Sequence, residues 1–384
     1  MNAPAINEQR IRDFLAEVFE HDVHAKRILS LSNATLGVIH SASLAVHAIG
    51  RALAMAQGLK PRHAIKQVDR LLSNGGIDVW HLFRQWVPFV LAERTEAVIA
   101  LDWTDFEPDD QCTLAASLIT SHGRTTPLVW KTHRKSELAG KRNDWEDELL
   151  GYLRELVPLD VAVTLLADRG FGDQKLYELL DRLGFSYVIR FREAIAVTDP
   201  VTGEKRKAAD WLSKLGTAKQ IRGALVTGRK KPVGAVVCVK RKGMKEKWCL
   251  ATSFDEAKSS ELIDLYARRF TIEEGFRDVK DLRFGMGLSS VRINAPERRD
   301  RLLLLSALAI ALLTLLGAAG EEIGLERQLK ANTVKRRSYS LFNQGCFYYQ
   351  WMATMPADTF AALVAKFSEK LRSHAVFREA FGVR

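Results

Sequence analysis

The chain alternates from residue 97 onward between short apolar runs and segments of helical periodicity. AVIAL runs straight into Asp102, and two further strand-like runs follow, CTLAASLIT at 112–120 and PLVWKTH at 127–133, with the turn residues SHGR between them. Apolar, β-branched runs of this length bounded by turn formers read as strands, here three in sequence and antiparallel. An amphipathic helix is expected at 143–157, and a buried strand VAVTLLA at 161–167 ends in Asp168. A helix at 174–183 and a strand SYVIRF at 186–191 complete the set.

Three strands, helix, strand, helix, strand predicts an α/β fold with a ribonuclease H-like mixed sheet. Helical N- and C-terminal regions flank it, and a β-rich insertion interrupts it. Residues 6–95 read as several short helices, one at 44–57 and another at 63–72 around the break GLKP. The pair resembles a helix-turn-helix in outline, although helical hairpins without nucleic-acid contacts have the same outline. Strand patterns recur at 234–239 and 248–252, and a helical pattern resumes near Ser259 and runs to about Arg283, just after SFDE, a capping-box sequence. The expected division is 1–96 helical and DNA-binding, 97–191 first part of the core, 192–252 insertion, 253–320 second part of the core, and 321–384 helical.

Residues 302–320, LLLLSALAIALLTLLGAAG, carry no charge and are long enough to span a bilayer. A helix apolar on all sides is also what the core of a large protein holds. The small and hydroxyl residues Ser306, Ala307, Ala309, Ala311 and Thr314 within it favour the core, and no membrane partner is expected.

Charge changes the picture only once it is located. The net charge of +11 equals the excess of fourteen Lys or Arg over Glu204, Asp210 and Glu246 within residues 201–250, so the rest of the chain sums to zero. A basic segment this dense suits a polyanion on its surface, and nucleic acid is the expected partner. Cys112, Cys238, Cys249 and Cys346 lack the paired spacing of a zinc or redox site. The amino terminus has no apolar stretch behind its first charges, which fits a cytoplasmic protein.

Asp102 and Asp168 each close an apolar run, and in a sheet of this order both strand ends can lie side by side at one edge. An Asp at a strand end is usually a turn residue. Asp105, Asp109 and Asp110 compete with Asp102 but lie beyond the apolar run. In LYARRFTIEEGFRDVKD (265–281), at about 100° per residue, Tyr266, Arg269, Glu273 and Lys280 fall within roughly 60° of one another. Such a stripe is either a solvated ion-paired face or a carboxylate placed among cations.

Tyr, two residues, Arg, three residues, Glu, six residues, Lys is the signature of bacterial insertion-sequence transposases of the DDE class, the insertion sequence four-type family, and the chain resembles them. LADRGFGD around Asp168, the strand before Asp102 and the β-rich insertion before the Glu-bearing helix extend the resemblance over about 98–320, and more loosely to both ends. The resemblance implies a DNA transposase that cleaves at inverted-repeat ends and transfers the strand into target DNA by cut and paste. It implies two Mg2+ ions, with Mn2+ substituting, on Asp102, Asp168 and Glu273. Arg269 and Lys280 would contact phosphates of double-stranded DNA, with Tyr266 beside them. Trp248, in EKWCLATSF, is similar in context to a tryptophan that stacks on a flipped base, although a strand Trp is more often core. A homodimer in the synaptic complex and a bacterial, nucleoid-associated location follow from the same resemblance. A catalytically inactive DNA-binding protein and a nuclease without strand transfer remain alternatives.

Overall fold

A computed structural model of the chain describes residues 6–19, 23–213, 215–283 and 285–372. Five helices come first: α1 (Glu8–Phe19), α2 (Ala25–Ser41), α3 (Val46–Gln57), α4 (Pro61–Leu72) and α5 (Val79–Leu91). The break expected at GLKP is real. Gly58 caps α3 in the left-handed region at φ 66°, where a Cβ is unfavourable, and Pro61 opens α4 where its missing N–H costs nothing.

The sheet follows in the expected order: β1 (Glu96–Phe106), β2 (Gln111–Ile119), β3 (Thr125–Arg134), α6 (Arg142–Leu156), β4 (Ala162–Ala167), α7 (Gln174–Leu183) and β5 (Ser186–Arg190). These strands lie side by side as β3-β2-β1-β4-β5. The first three are antiparallel, whereas β1, β4 and β5 are mutually parallel. Seven strands of the basic segment come next: β6 (Ala196–Thr198), β7 (Lys205–Lys207), β8 (Lys219–Arg222), β9 (Leu225–Val226), β10 (Lys231–Pro232), β11 (Ala235–Val239) and β12 (Trp248–Thr252). They do not form one appendage. β12, β11 and β8 continue the main sheet antiparallel beyond β5, while β10-β9-β6-β7 make a second, small sheet.

Three expectations need correction. The strand expected to stop at Asp102 continues to Phe106, because pairing with β2 persists through Phe106↔Gln111 after pairing with β4 ends at Leu101↔Ala167. The single helix expected from 259 to 283 is α8 (Ser259–Ala267), a 3₁₀ turn at Arg268–Phe270, and α9 (Thr271–Lys280). The capping-box geometry lies later than SFDE, where Glu261 accepts from the Lys258 N–H at 3.1 Å.

Alternation along the strands builds two cores. Ile99, Leu101, Leu165, Ala167 and Ile189 face the larger one, shared with α5, α6 and α7. Ala100, Leu166, Val188 and Leu250 face the other way, against Leu262, Ile263 and Tyr266 of α8 and Ile272 of α9.

α10 (Pro296–Glu322), α11 (Leu341–Trp351) and α12 (Ala357–Arg372) complete the described chain. α10 contains the uncharged run, and 83% of its most apolar window is buried, against α11, α12, α2 and β3, as expected of a core helix. It meets α11 through glycine. A Cβ at Gly317 would lie 1.9 Å from the Leu341 carbonyl oxygen, and one at Gly345 1.8 Å from that of Leu313.

Candidate active site

The two aspartates converge because of the same alternation. Asp102 lies two residues past Ala100 and Asp168 two past Leu166, and Ala100 pairs with Leu166 in parallel register. Both carboxylates therefore leave the sheet on the face covered by α8 and α9, one strand spacing apart. Asp102 Oδ1 accepts from the Trp103 N–H at 2.9 Å, and Asp168 Oδ1 from the Gly170 N–H at 2.7 Å.

Arg269 draws Glu273 to them. Its guanidinium donates to Asp102 Oδ2 at 3.1 Å and to Glu273 Oε1 at 2.8 Å, with its side chain only 6% exposed. The 3₁₀ turn that carries Arg269 interrupts the helix at this point, so the side chain reaches back to β1 while Glu273 follows one turn later. Burial lifts the Asp102 carboxyl to about 6 against the pull of Arg269, and the like charges of Asp168 and Glu273 add to the rise. Burial opposes the charge of Arg269, but Tyr266, Asp102, Glu273 and Asp168 together hold its pKa above the ordinary value.

The structure thus joins Asp102 and Glu273 through one guanidinium, with Asp168 near enough to act on both electrostatically but bonded to the Gly170 N–H rather than to Arg269. Among the described residues no group of three or more His, Cys, Asp or Glu is drawn together closely enough to hold a metal ion. Arg269 lies between Asp102 and Glu273 instead. The donors themselves are carboxylate oxygens, which suit a hard divalent cation, and burial, with a lesser push from Asp168 and Glu273, raises the Asp102 pKa in a way such a cation would relieve. The competing aspartates are engaged elsewhere. Asp105 pairs with Lys135 at 3.1 Å, Asp109 with buried Arg299, and Asp110 accepts from the Ser136 N–H at 3.1 Å and its hydroxyl at 2.5 Å.

The other stripe residues take different places. Lys280 donates to Thr104 Oγ1 at 3.0 Å and to the Asp105 carbonyl at 2.7 Å, tying the end of α9 to β1, and burial lowers its pKa. Arg124 and buried Asp278 pair at 2.5 Å and fix the same helix to the β2–β3 turn. Tyr266 is 1% exposed and belongs to the core beneath Arg269. Trp248 stands edge-on to it at 5.0 Å and lies 5.9 Å from Phe270 with planes 29° apart. Phe270 is 39% exposed.

Sequence reasoning missed the opposite wall. A cleft of about 420 Å³ opens beside the carboxylates, lined by Asp102, Asp168, Lys135, Arg142, Arg169 and Arg192 among others. Buried Glu146 accepts from Trp103 Nε1 at 2.7 Å and from Arg142 Nε at 3.1 Å. The order Arg, three residues, Glu on a helix is the commonplace of exposed surfaces, and only the tertiary burial of Glu146 sets this pair apart.

No curated protein matches the chain. Residues 137–312 match the family model described as Transposase DDE domain, a span that holds Asp168 and Glu273 and begins after Asp102, and the match supports a DDE transposase acting on DNA.

Proposed function

We propose that the protein is a cut-and-paste transposase of the Tyr-Arg-Glu-Lys type, which cleaves double-stranded DNA at inverted-repeat ends and joins the ends to target DNA. The observation that carries this reading is that Asp102 and Glu273, from β1 and α9, meet on the buried guanidinium of Arg269 while Asp168, at the end of β4, leaves the strand paired with that of Asp102. The strand order β3-β2-β1-β4-β5, antiparallel then parallel, supports a ribonuclease H-like core.

Asp102, Asp168 and Glu273 would hold two Mg2+ ions, or Mn2+ in their place. Bound there, divalent ions supply activation of the attacking hydroxyl and stabilisation of the leaving oxygen. Everything else falls to the chain. Arg269 must give up Asp102 and Glu273, and a DNA phosphate is the partner that would take it over with little loss of charge pairing. Lys280, fixed to β1 two residues beyond Asp102, would offer its remaining donor capacity to a neighbouring phosphate. Tyr266 would set the height of Arg269 from below and join that contact as the arginine moves. A base extruded from the duplex would meet Trp248 and exposed Phe270, whose rings present one aromatic surface.

The lysines and arginines of β7, β8, β10 and the turns around them would carry the DNA backbone, with most binding energy independent of sequence. The helical region 1–96 would add contacts to the inverted repeat. Two copies, one per transposon end, would assemble on nucleoid DNA in the bacterial cytoplasm.

The test is a Mg2+-dependent cleavage and strand-transfer assay on the inverted repeats flanking the gene. Asp102→Ala, Asp168→Ala and Glu273→Ala should each abolish both steps while gel-shift binding survives. Retained cleavage in any one would remove that residue from the set, and cleavage without joining would make the protein a nuclease.

A further inference from the structure

Arg142 sits where helix energetics alone would not place it. It is the first residue of α6, where a cation opposes the helix dipole, and it precedes Glu146 by four residues, the weaker of the two orders for an intrahelical ion pair. Yet it is held with unusual care. Its Nε donates to Glu146 Oε1 at 3.1 Å, and Glu146 is only 4% exposed. Its guanidinium lies 5.3 Å from the Trp103 ring and 5.8 Å from the Phe171 ring. The same Glu146 oxygen accepts from Trp103 Nε1 at 2.7 Å, so one carboxylate fixes both the arginine and the residue next to Asp102. Burial raises the Glu146 pKa, as for an acid retained at some cost.

The restrained end is the inner one. Neither terminal nitrogen of Arg142 has a hydrogen-bond partner among the described residues, and the side chain is 45% exposed. A Cβ at Gly170 would stand 3.0 Å from Asp168 Oδ1 and 3.8 Å from Arg142 Nη2, so carboxylate and guanidinium share the space above this glycine. Both line the cleft, with Lys135, Arg169 and Arg192 around them.

We infer that Arg142 binds a phosphodiester of the substrate strand in this cleft, beside the bond that reacts at Asp168, and that Glu146 is the positioning residue that aims it. A planar guanidinium held at Nε presents its two outer donors as a fork that matches two non-bridging phosphate oxygens. Arg142 would thus add to Arg269 and Lys280 a phosphate contact from a separate element, α6, on the cleft that Asp102 and Asp168 line. The inference rests on the DNA-cleaving reading above.

A neutral-linkage scan tests it. Duplexes carrying one methylphosphonate at each position near the cut are cleaved by the full-length protein with Mg2+ under single-turnover conditions. The wild type should lose about 100-fold at the position Arg142 contacts, as at those facing Arg269 and Lys280, the scale of a single misplaced or missing transition-state contact. Arg142→Gln should lose about 100-fold on unmodified DNA and be indifferent to the neutral linkage at that one position. Glu146→Gln keeps both hydrogen bonds but not the charge, and should lose about 10-fold while still sensing that linkage. Arg142→Lys, which retains the charge without the fork, repeats the cycle should the glutamine variant fail to fold. Losses that simply multiply at every position, or a fully active Arg142→Gln, would overturn the inference. The wild type and Asp168→Ala run alongside separate the two failures: a wild type that cleaves no duplex with Mg2+ would bring down the DNA-cleaving reading, whereas cleavage by Asp168→Ala would take Asp168 out of the site and overturn this inference alone.

Discussion

Replacing Asp102 by Asn should make the metal-free, DNA-free protein more stable while destroying its activity. The Asp102 side chain is 18% exposed, and burial, aided by Asp168 and Glu273, raises its carboxyl from 3.8 to about 6 despite the pull of Arg269. An acid whose folded pKa exceeds its unfolded value holds its proton more tightly when folded. Its stabilising contribution is present at low pH, declines as pH rises from about 4 to about 6, and stays lost above that. Two pH units at about 1.4 kcal/mol each put the loss at about 3 kcal/mol. Asn keeps the acceptor for the Trp103 N–H but sets an amide N–H against Arg269, a mismatch of about 1 kcal/mol or more. The net gain for Asp102→Asn is then about 1 to 2 kcal/mol at pH 7.5.

Urea unfolding with EDTA at pH 5, 6 and 7.5 reads this directly. The midpoint of Asp102→Asn should exceed that of wild type at pH 7.5, and the difference should shrink at pH 5. A variant less stable at pH 7.5, or a difference constant from pH 5 to 8, would refute the view that carboxylates are crowded here against their own electrostatics.

Four further outcomes follow from the same structure. Arg269→Gln should raise the affinity of the DNA-free protein for Mn2+ about 10-fold, or about 1.4 kcal/mol, measured by electron paramagnetic resonance, because the guanidinium that lies between Asp102 and Glu273 is gone. Gly345→Ala should cost about 3 kcal/mol or more in urea unfolding, since its Cβ would meet a carbonyl oxygen at 1.8 Å, whereas Gly151→Ala in α6, with open space around it, should gain about 0.5 to 1 kcal/mol. Asp109→Ala strands Arg299, which is 0% exposed, and should cost about 3 to 5 kcal/mol, while breaking the exposed Lys131–Glu148 pair should cost under about 1 kcal/mol. Changing exposed Lys205, Arg206 and Lys207 of β7 together to Gln should weaken binding to any duplex and lower the salt slope in fluorescence anisotropy by about 2.

Much of the core was legible because apolar runs and their breakers are local. Helix Gln174–Leu183 and strand Trp248–Thr252 have the bounds their patterns predict. β1 overran its predicted end because a strand stops where its ladder stops, and the β2 ladder continues under a polar stretch that no longer looks like a strand. The small sheet and the extension of the large one were out of reach for a similar reason. β7 is wholly exposed and β9 and β10 are two residues each, too short for any periodicity to show.

The site shows where local reading ends. Asp102 and Asp168 could be paired from sequence because each closes an apolar run and the strand order sets those two ends side by side; the register Ala100↔Leu166 that puts both on one face came only with the structure. The stripe on α8 and α9 could not be resolved that way, since a wheel assumes a constant turn and the 3₁₀ segment at Arg268–Phe270 breaks it at the residue that matters. Arg269 consequently points to the sheet with its charge already matched by two acids. The geometry gives it a role in the resting protein that spacing alone does not suggest. Asp102 and Glu273 are both acidic and close, and the cation on the turn between α8 and α9 offsets their repulsion. The same reasoning explains why Arg142 escaped notice. Its sequence signal is that of a surface ion pair, and its meaning depends on Glu146 being buried against Trp103 and on Arg142 lining the same cleft as Asp168, facts that exist only once α6 is packed beside α5, α7 and β3.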